Sequence, residues 1–202
     1  MKIDDLKISK PAIEFLKSQG FQKLYPPQAE TVKSGLLDGK SIVVSAPTAS
    51  GKTLIAMLSM ISFLEKNSGK VIYLSPLRAL ASEKFIEFKK LEKVPLGRKI
   101  KVAISTGDYE NIEKNLEKAD VLILTNEKMD SIIRHRSEWI DDIGLVIADE
   151  IHLIGDEGRG PTLEMILTHL KRLETTPQMV GLSATITNSD EIAKWLNCSL
   201  VE

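Results

Sequence analysis

The strongest constraint in this 202-residue sequence is a block of small residues set between a β-rich run and an apolar helix. Residues 41–45 read Ser-Ile-Val-Val-Ser. Ala46, Pro47, Thr48, Ala49, Ser50, Gly51, Lys52 and Thr53 follow, and residues 54–64 are apolar enough for a buried helix. Small side chains let backbone N–H groups curl around an anion, and the helix start adds its partial positive charge. Lys52 can reach the β- and γ-phosphates of a nucleotide, and the Thr53 hydroxyl can ligate Mg²⁺. A Gly-Lys-Thr triplet alone also fits an ordinary helix start with an exposed lysine. The strand before it and the helix after it supply the context of a phosphate loop. Ala46 departs from the usual pattern, which opens with glycine.

From residue 41 onward, apolar runs alternate with helix-length segments. The runs cover 41–45, 71–74, 101–104, 121–124, 145–148 and 179–182. Nearly continuous apolar runs of this length suit strands buried on both faces of a parallel sheet. Between them, helical patterns are expected near 52–66, 78–92, 111–118, 129–140 and 162–174, with one more at 190–196. Such alternation predicts an α/β fold, a mostly parallel sheet with helices on both faces in three layers. Ahead of the first strand, 10–19 and 27–37 read as two short helices with Pro11 and Pro27 in their first turns. Without repeats, low-complexity tracts or a Pro/Gly-rich linker, 1–202 reads as one domain whose N-terminal helical segment is 1–38.

A second constellation follows the run at 145–148, where Asp149 and Glu150 are adjacent. Two carboxylates ending an apolar strand are costly to bury unless a metal or cation pairs with them. At the C-terminal edge of a parallel sheet they would lie where ligands bind, beside the phosphate loop. Asp149 can then hold Mg²⁺ and Glu150 can orient and deprotonate an attacking water. The catalytic set is thus Glu150, Lys52 and Asp149, with a nucleoside triphosphate and Mg²⁺ as the implied ligands. His152 is ambiguous on chemistry alone, since no ligand cluster surrounds it.

Composition sets limits. Lys plus Arg total 27 and Asp plus Glu 28, so any nucleic-acid surface must be a local patch. Cys198 is the sole cysteine, which excludes an intramolecular disulfide and a cysteine-rich zinc site. The N-terminus lacks the apolar core of a signal peptide, and 54–64 is too short to span a bilayer. A soluble protein of a reducing cytoplasm, with no membrane partner, is expected.

The phosphate loop and acidic pair point to an NTPase and no further. Tyr25-Pro26-Pro27-Gln28, the loop 46–53, Ser75-Pro76-Leu77-Arg78-Ala79-Leu80-Ala81, Thr106-Gly107-Asp108, Thr125-Asn126-Glu127-Lys128, Asp149-Glu150-Ile151-His152 and Ser183-Ala184-Thr185 stand in the order of superfamily-two helicase motifs. The chain resembles the first RecA-like domain of that superfamily over nearly its whole length. It looks most like the archaeal DNA-repair helicases that act at stalled replication forks, relatives of the polymerase theta helicase domain. Distinctive pieces are residues 75–84, Thr106 to Tyr109, Asp149 to His152, and Arg159-Gly160-Pro161-Thr162-Leu163-Glu164.

The resemblance implies specific roles. Gln28 would read the adenine edge, with Tyr25 and Phe21 packing nearby. Arg78, Thr106, Gly107, Thr125 and Lys128 would track a nucleic-acid backbone, and His152, Ser183 and Thr185 would couple nucleotide state to that track. It implies single-stranded or forked DNA as partner and a prokaryotic, nucleoid-associated setting. Asp149-Glu150 is followed by Ile151-His152 and not Ala-Asp, which argues against the common DEAD-type RNA helicases. An RNA helicase of the exosome-assisting type stays open as the alternative, because related RNA helicases share that form. A non-catalytic NTP-regulated binding module is a second rival, and a small-molecule kinase explains none of the motifs beyond the loop.

The sequence stops soon after Thr185. A first motor domain lacking its second is therefore the expectation. It would bind ATP–Mg²⁺, turn it over poorly alone and not unwind duplexes alone. The missing domain would supply arginines worth about 10³–10⁵ in rate.

Overall fold

The computed structural model describes residues 1–47, 50–107 and 116–202. Seven strands form one sheet: β1 (Ile42–Ser45), β2 (Lys70–Ser75), β3 (Val102–Ser105), β4 (Val121–Thr125), β5 (Ile143–Ala148), β6 (Gln178–Ser183) and β7 (Ser199–Val201). Their order is β3-β4-β2-β5-β6-β1-β7, and every pairing is parallel. The α/β expectation and its parallel sheet therefore hold.

Side-chain alternation along the strands divides the core into two layers of apolar packing. Ile42, Val44, Val71, Tyr73, Ile123, Ile147 and Leu182 face one cluster, while Val43, Ile72, Leu74, Leu122, Val146 and Met179 face the other. The first face is covered by α1 (Lys10–Ser18), α2 (Pro26–Lys33), α3 (Lys52–Lys66) and α4 (Arg78–Phe88), whose buried residues join that cluster or pack on it. The second is covered by α5 (Asn126–Arg134), α6 (Gly160–Leu170) and α7 (Ser189–Leu196). Parallel strands sandwiched this way have no solvated face, which is why the runs read as continuous apolar segments.

The N-terminal segment is part of this core. Ile3, Leu6, Ala12, Leu16 and Leu24 are buried with α3, and the Ser9 N–H donates to Glu65 Oε1 at 3.0 Å. Helix α3 is accordingly buried nearly all round, from Leu54 to Ser62 and at Leu64. It is too short to span a bilayer, and no helix among the described residues is long and apolar enough to cross a membrane.

Several boundaries differ from expectation. Strand β7 is absent from the sequence reading: its three residues, running from exposed Ser199 to buried Val201, are too few to carry an alternation signal. Helix α5 starts at Asn126 and not near 129, because the Thr125 hydroxyl accepts the Lys128 N–H at 3.3 Å and caps it. It ends at Arg134, where Arg136 adopts a positive φ of 52°, and a 3-10 turn over Glu138–Asp142 takes up the rest. Helix α4 likewise gives way to a 3-10 turn at Lys89–Lys93. The helix expected at 111–118 falls mainly outside the described residues, as do Thr48, Ala49, Asp108 and Tyr109.

Candidate nucleotide site at the sheet edge

Parallel pairing brings the C-terminal ends of the strands to one edge. Ser45 of β1 aligns with Ser183 of β6, Leu74 of β2 with Ala148 of β5, and Ser75 of β2 with Thr125 of β4. The sequence motifs follow these ends, so residues as far apart in the chain as Ser45 and Ser183 share one rim. The loop after β1, Asp149 after β5 and Ser183 ending β6 form one half. Arg78 after β2, Thr125 ending β4 and Thr106 after β3 form the other.

The phosphate loop is held from several sides. The Ala46 N–H donates to Ser183 O at 3.2 Å, and the Ser50 N–H to Pro47 O at 3.2 Å. Gly51 has φ +80°, a backbone that favours glycine, and a Cβ there would meet Gln28 Nε2 at 2.1 Å. Lys52 folds across the loop, its ammonium donating to Ala46 O at 2.9 Å and Pro47 O at 3.3 Å. The lysine thereby sits against the start of the loop at the N-terminus of α3, where an anion would meet both the charge and the helix dipole.

Gln28 lies 2 % exposed against this loop. Its Nε2 donates to Gly51 O at 3.1 Å and Ser50 O at 3.4 Å, and its Oε1 accepts from the Tyr25 N–H at 2.8 Å. The side chain therefore ties α2 to the phosphate loop. Phe21, Tyr25, Gln28, Gly51 and Leu54 line a cleft of about 540 Å³ at this junction, with Tyr25 exposed. An aromatic ring, an amide and a loop backbone around one opening suit a flat heterocycle.

Asp149 is fixed by two donors. The Tyr73 hydroxyl donates to Oδ2 at 2.5 Å and the Glu150 N–H to Oδ1 at 3.0 Å, while the Asp149 N–H donates to Leu74 O at 3.0 Å. Burial, and then the Asp149 carboxylate, push the Tyr73 hydroxyl well above its usual range, so it stays protonated and keeps donating. Tyr73 rests edge-on against Phe88 of α4, 5.0 Å between ring centres. Glu150 adopts φ 50° and ψ 43°, a left-handed conformation costing a non-glycine residue about 1 kcal/mol or more. Strain of this kind concentrates at functional sites.

From Glu150 a short polar chain leads to β6. Glu150 Oε2 lies 3.3 Å from His152 Nδ1, which lies 3.5 Å from Ser183 Oγ. The Ser183 hydroxyl donates to Ala184 O at 2.7 Å, leaving its oxygen as the acceptor toward the histidine. Glu150, His152 and Ser183 are thus brought together, whereas Thr185 lies exposed beyond the strand end.

The expected nucleic-acid residues divide. Arg78 is exposed at the first position of α4, and Thr106 and Gly107 are partly exposed after β3. Thr125 is 2 % and Lys128 9 % exposed, with the threonine hydroxyl committed to capping α5. Two residues of the site escape the sequence reading. The hydroxyl of Tyr73, alone in an apolar strand, was the available signal for the first. Lys84, whose ammonium donates to Thr53 Oγ1 at 2.8 Å, gives no local signal because its partner is distant in sequence.

Thr53 and Asp149 offer a hydroxyl and a carboxylate, hard oxygen donors that fit Mg²⁺. Among the described residues no group of three His, Cys, Asp or Glu could hold a metal by itself. Two protein oxygens completed by phosphate and water is the usual Mg²⁺ arrangement. A cation, the Lys84 ammonium, already rests on the Thr53 oxygen, an indication that this position suits positive charge.

Residues 25–192 match the family described as DEAD/DEAH box helicase. Over its whole length the chain is similar to ATP-dependent DNA helicase Hel308 of Thermococcus kodakarensis, 48 % identical over 201 residues and covering 17 % of that protein. It is 48 % identical to the Pyrococcus abyssi Hel308 and 44 % to that of Methanocella arvoryzae, covering 27 % of each. The chain thus spans about a quarter or less of these relatives. Among solved structures, Mycobacterium smegmatis helicase Lhr bound to ssDNA and AMP-PNP superposes with a TM-score of 0.84 at 29 % identity, covering all of this chain and 28 % of that one. The helicase MrfA bound to DNA and AMPPNP gives 0.81 at 26 % identity, covering 96 % and 29 %.

Proposed function

The chain belongs to the DEAD/DEAH box helicases, and from that premise we propose that it is the ATP-binding motor domain of an ATP-dependent DNA helicase. The observation that carries this is the shared rim: Lys52 and Thr53 follow the loop after β1, and Asp149 and Glu150 follow β5, at the same edge of the sheet. Lys52 leaves the loop carbonyls to hold the β- and γ-phosphates, which the loop N–H groups cradle. Thr53 and Asp149 hold Mg²⁺, which when bound neutralises phosphate charge. Tyr73 keeps the Asp149 carboxylate in place. Glu150 orients the attacking water and takes its proton. Gln28 and Tyr25 receive the adenine in the cleft beside the loop.

His152 and Ser183 pass the state of Glu150 to the end of β6, and Thr185 extends that link toward the track. Arg78, Thr106 and Gly107 grip the strand's phosphates on the other half of the rim. Thr125 and Lys128, both buried, contribute through the placement of α5 and its cap. Contacts of this kind are to the backbone, so binding is salt-sensitive and indifferent to base sequence.

DNA is favoured over RNA because the similar full-length proteins carry the name DNA helicase. Fork repair in an archaeal cytoplasm is the setting that likeness suggests. A second motor domain closing over this rim, in the part of such proteins that this chain does not span, completes the site. Its arginines stabilise charge on the γ-phosphate, and alternate closing and opening moves the strand. Steady-state ATP hydrolysis by the full-length protein, with single-stranded DNA or RNA added, tests the reading. DNA-stimulated turnover abolished by Glu150→Gln is expected. Stimulation by RNA alone favours the exosome-assisting RNA helicase class, and function that survives Glu150→Gln favours a non-catalytic binding module.

A further inference from the structure

Lys84 lies in the middle of α4, two turns beyond Arg78, and its side chain is 14 % exposed. Its ammonium lies within 4 Å of one hydroxyl and two carboxylates. The shortest contact, 2.8 Å, is to the neutral hydroxyl of Thr53 at the start of α3. The carboxylates of Glu87 and Glu83, on its own helix, lie farther away at 3.4 and 3.8 Å. An ordinary pair three residues apart on a solvated helix would favour the carboxylate and leave the stem in water. Here the stem is covered and the charge is delivered to another element.

The oxygen it reaches is the one that, on the reading above, ligates Mg²⁺. A hydroxyl oxygen has two lone pairs, and Mg²⁺ takes its ligands at about 2.0–2.1 Å. A lysine ammonium and a divalent ion on the same small oxygen would repel each other strongly in a partly buried site. We infer that Lys84 competes with the metal for Thr53: its ammonium holds Thr53 Oγ1 before loading and would have to leave that oxygen for Mg²⁺ to bind. Glu87 and Glu83 are the acceptors that receive the displaced charge, so the exchange needs only a change of partner within reach of one flexible stem. Lys84 therefore sets the Mg²⁺ concentration at which the nucleotide site fills, and through α4 it links that site to the helix bearing Arg78.

This rests on the assignment of Thr53 to an ATP–Mg²⁺ site, and the test separates the two. Binding of a fluorescent ADP, mant-ADP, is titrated against Mg²⁺ with the 202-residue chain, its Lys52→Ala variant, and Lys84→Met, Lys84→Gln and Lys84→Arg. Removing the competing cation in Lys84→Met or Lys84→Gln lowers the half-saturating Mg²⁺ by about three- to tenfold, the scale of a partly solvated charge-assisted hydrogen bond. Lys84→Arg, which keeps the charge, stays within about twofold of wild type on the same scale. Lys90→Met, removing an exposed charge just beyond α4, leaves the Mg²⁺ requirement unchanged. Circular dichroism melting establishes that each variant folds. If Lys52→Ala abolishes mant-ADP binding while both uncharged Lys84 variants keep the wild-type Mg²⁺ requirement, or raise it, Lys84 is only a structural ion pair. Binding that survives Lys52→Ala overturns the nucleotide site itself.

Discussion

The two halves of the sheet's rim are built differently. On the half formed by β1, β6 and β5, polar side chains lie at the strand ends and are held by neighbours: Lys52 by loop carbonyls, Asp149 by Tyr73, Glu150 by His152. On the half formed by β2, β4 and β3, the polar groups are split. Arg78 reaches solvent freely, whereas Thr125 and Lys128 are absorbed into the start of α5. On the proposed reading the first half is the nucleotide half, a preassembled site in which electrostatic groups are fixed ahead of the ligand. On the same reading the second is the track half, a scaffold with a few exposed contacts, as would suit a surface that grips and releases a strand in turn.

The largest effect expected from this contrast concerns Glu150. In the full-length protein Glu150→Gln lowers ATP turnover by about 10²–10⁴ while nucleotide binding persists, as parallel turnover and binding assays would reveal. A comparable loss of binding would mean that Glu150 serves the architecture of the site and not the water. Next comes Gly51→Ala. The positive φ and the approach of Gln28 Nε2 make any Cβ costly. A loss of about 1–3 kcal/mol is expected, visible as a lower melting temperature together with weaker nucleotide binding. An unchanged melting temperature would show that Gln28 and the loop are not packed as described.

The track half should separate stability from binding. Thr125→Ala removes the α5 cap and costs about 1 kcal/mol, a fall of roughly 2–4 °C in melting temperature for a chain of this size, with nucleotide affinity intact. Arg78→Ala changes stability by less than about 0.5 kcal/mol but weakens single-stranded DNA binding and flattens its salt dependence by about 0.7 in logarithmic slope. The opposite assignment, with Thr125→Ala acting on DNA and not on stability, would erase the distinction between the halves.

How far the sequence revealed this depends on the range of the interactions. The phosphate loop is a local object: strand, small residues and helix lie between Ile42 and Lys66, and periodicity with residue size reads it directly. Asp149 and Glu150 were legible for the same reason, since an apolar strand running into two carboxylates is a contradiction that a ligand resolves. The role of Tyr73 was not, because its partner Asp149 is 76 residues away and the two meet only through the β2–β5 pairing. Lys84 and Thr53, 31 apart, meet only when α4 packs beside α3. Strand β7 was missed because its pairing with β1 is created by the fold and not by its own composition. On the track half the resemblance named Thr125 and Lys128, but burial is a property of the packed sheet and could not be read from the motif.

The central claim, that the β1–β5 half of the rim is an ATP site, is tested most directly by calorimetric titration of AMP-PNP with Mg²⁺ into the wild-type chain and into Lys52→Ala. The account predicts one site in the wild type and at least about a tenfold loss of affinity in the variant, as expected when a charge-assisted contact to phosphate is removed. Equal affinities in the two proteins, or no binding to the wild type, would contradict it.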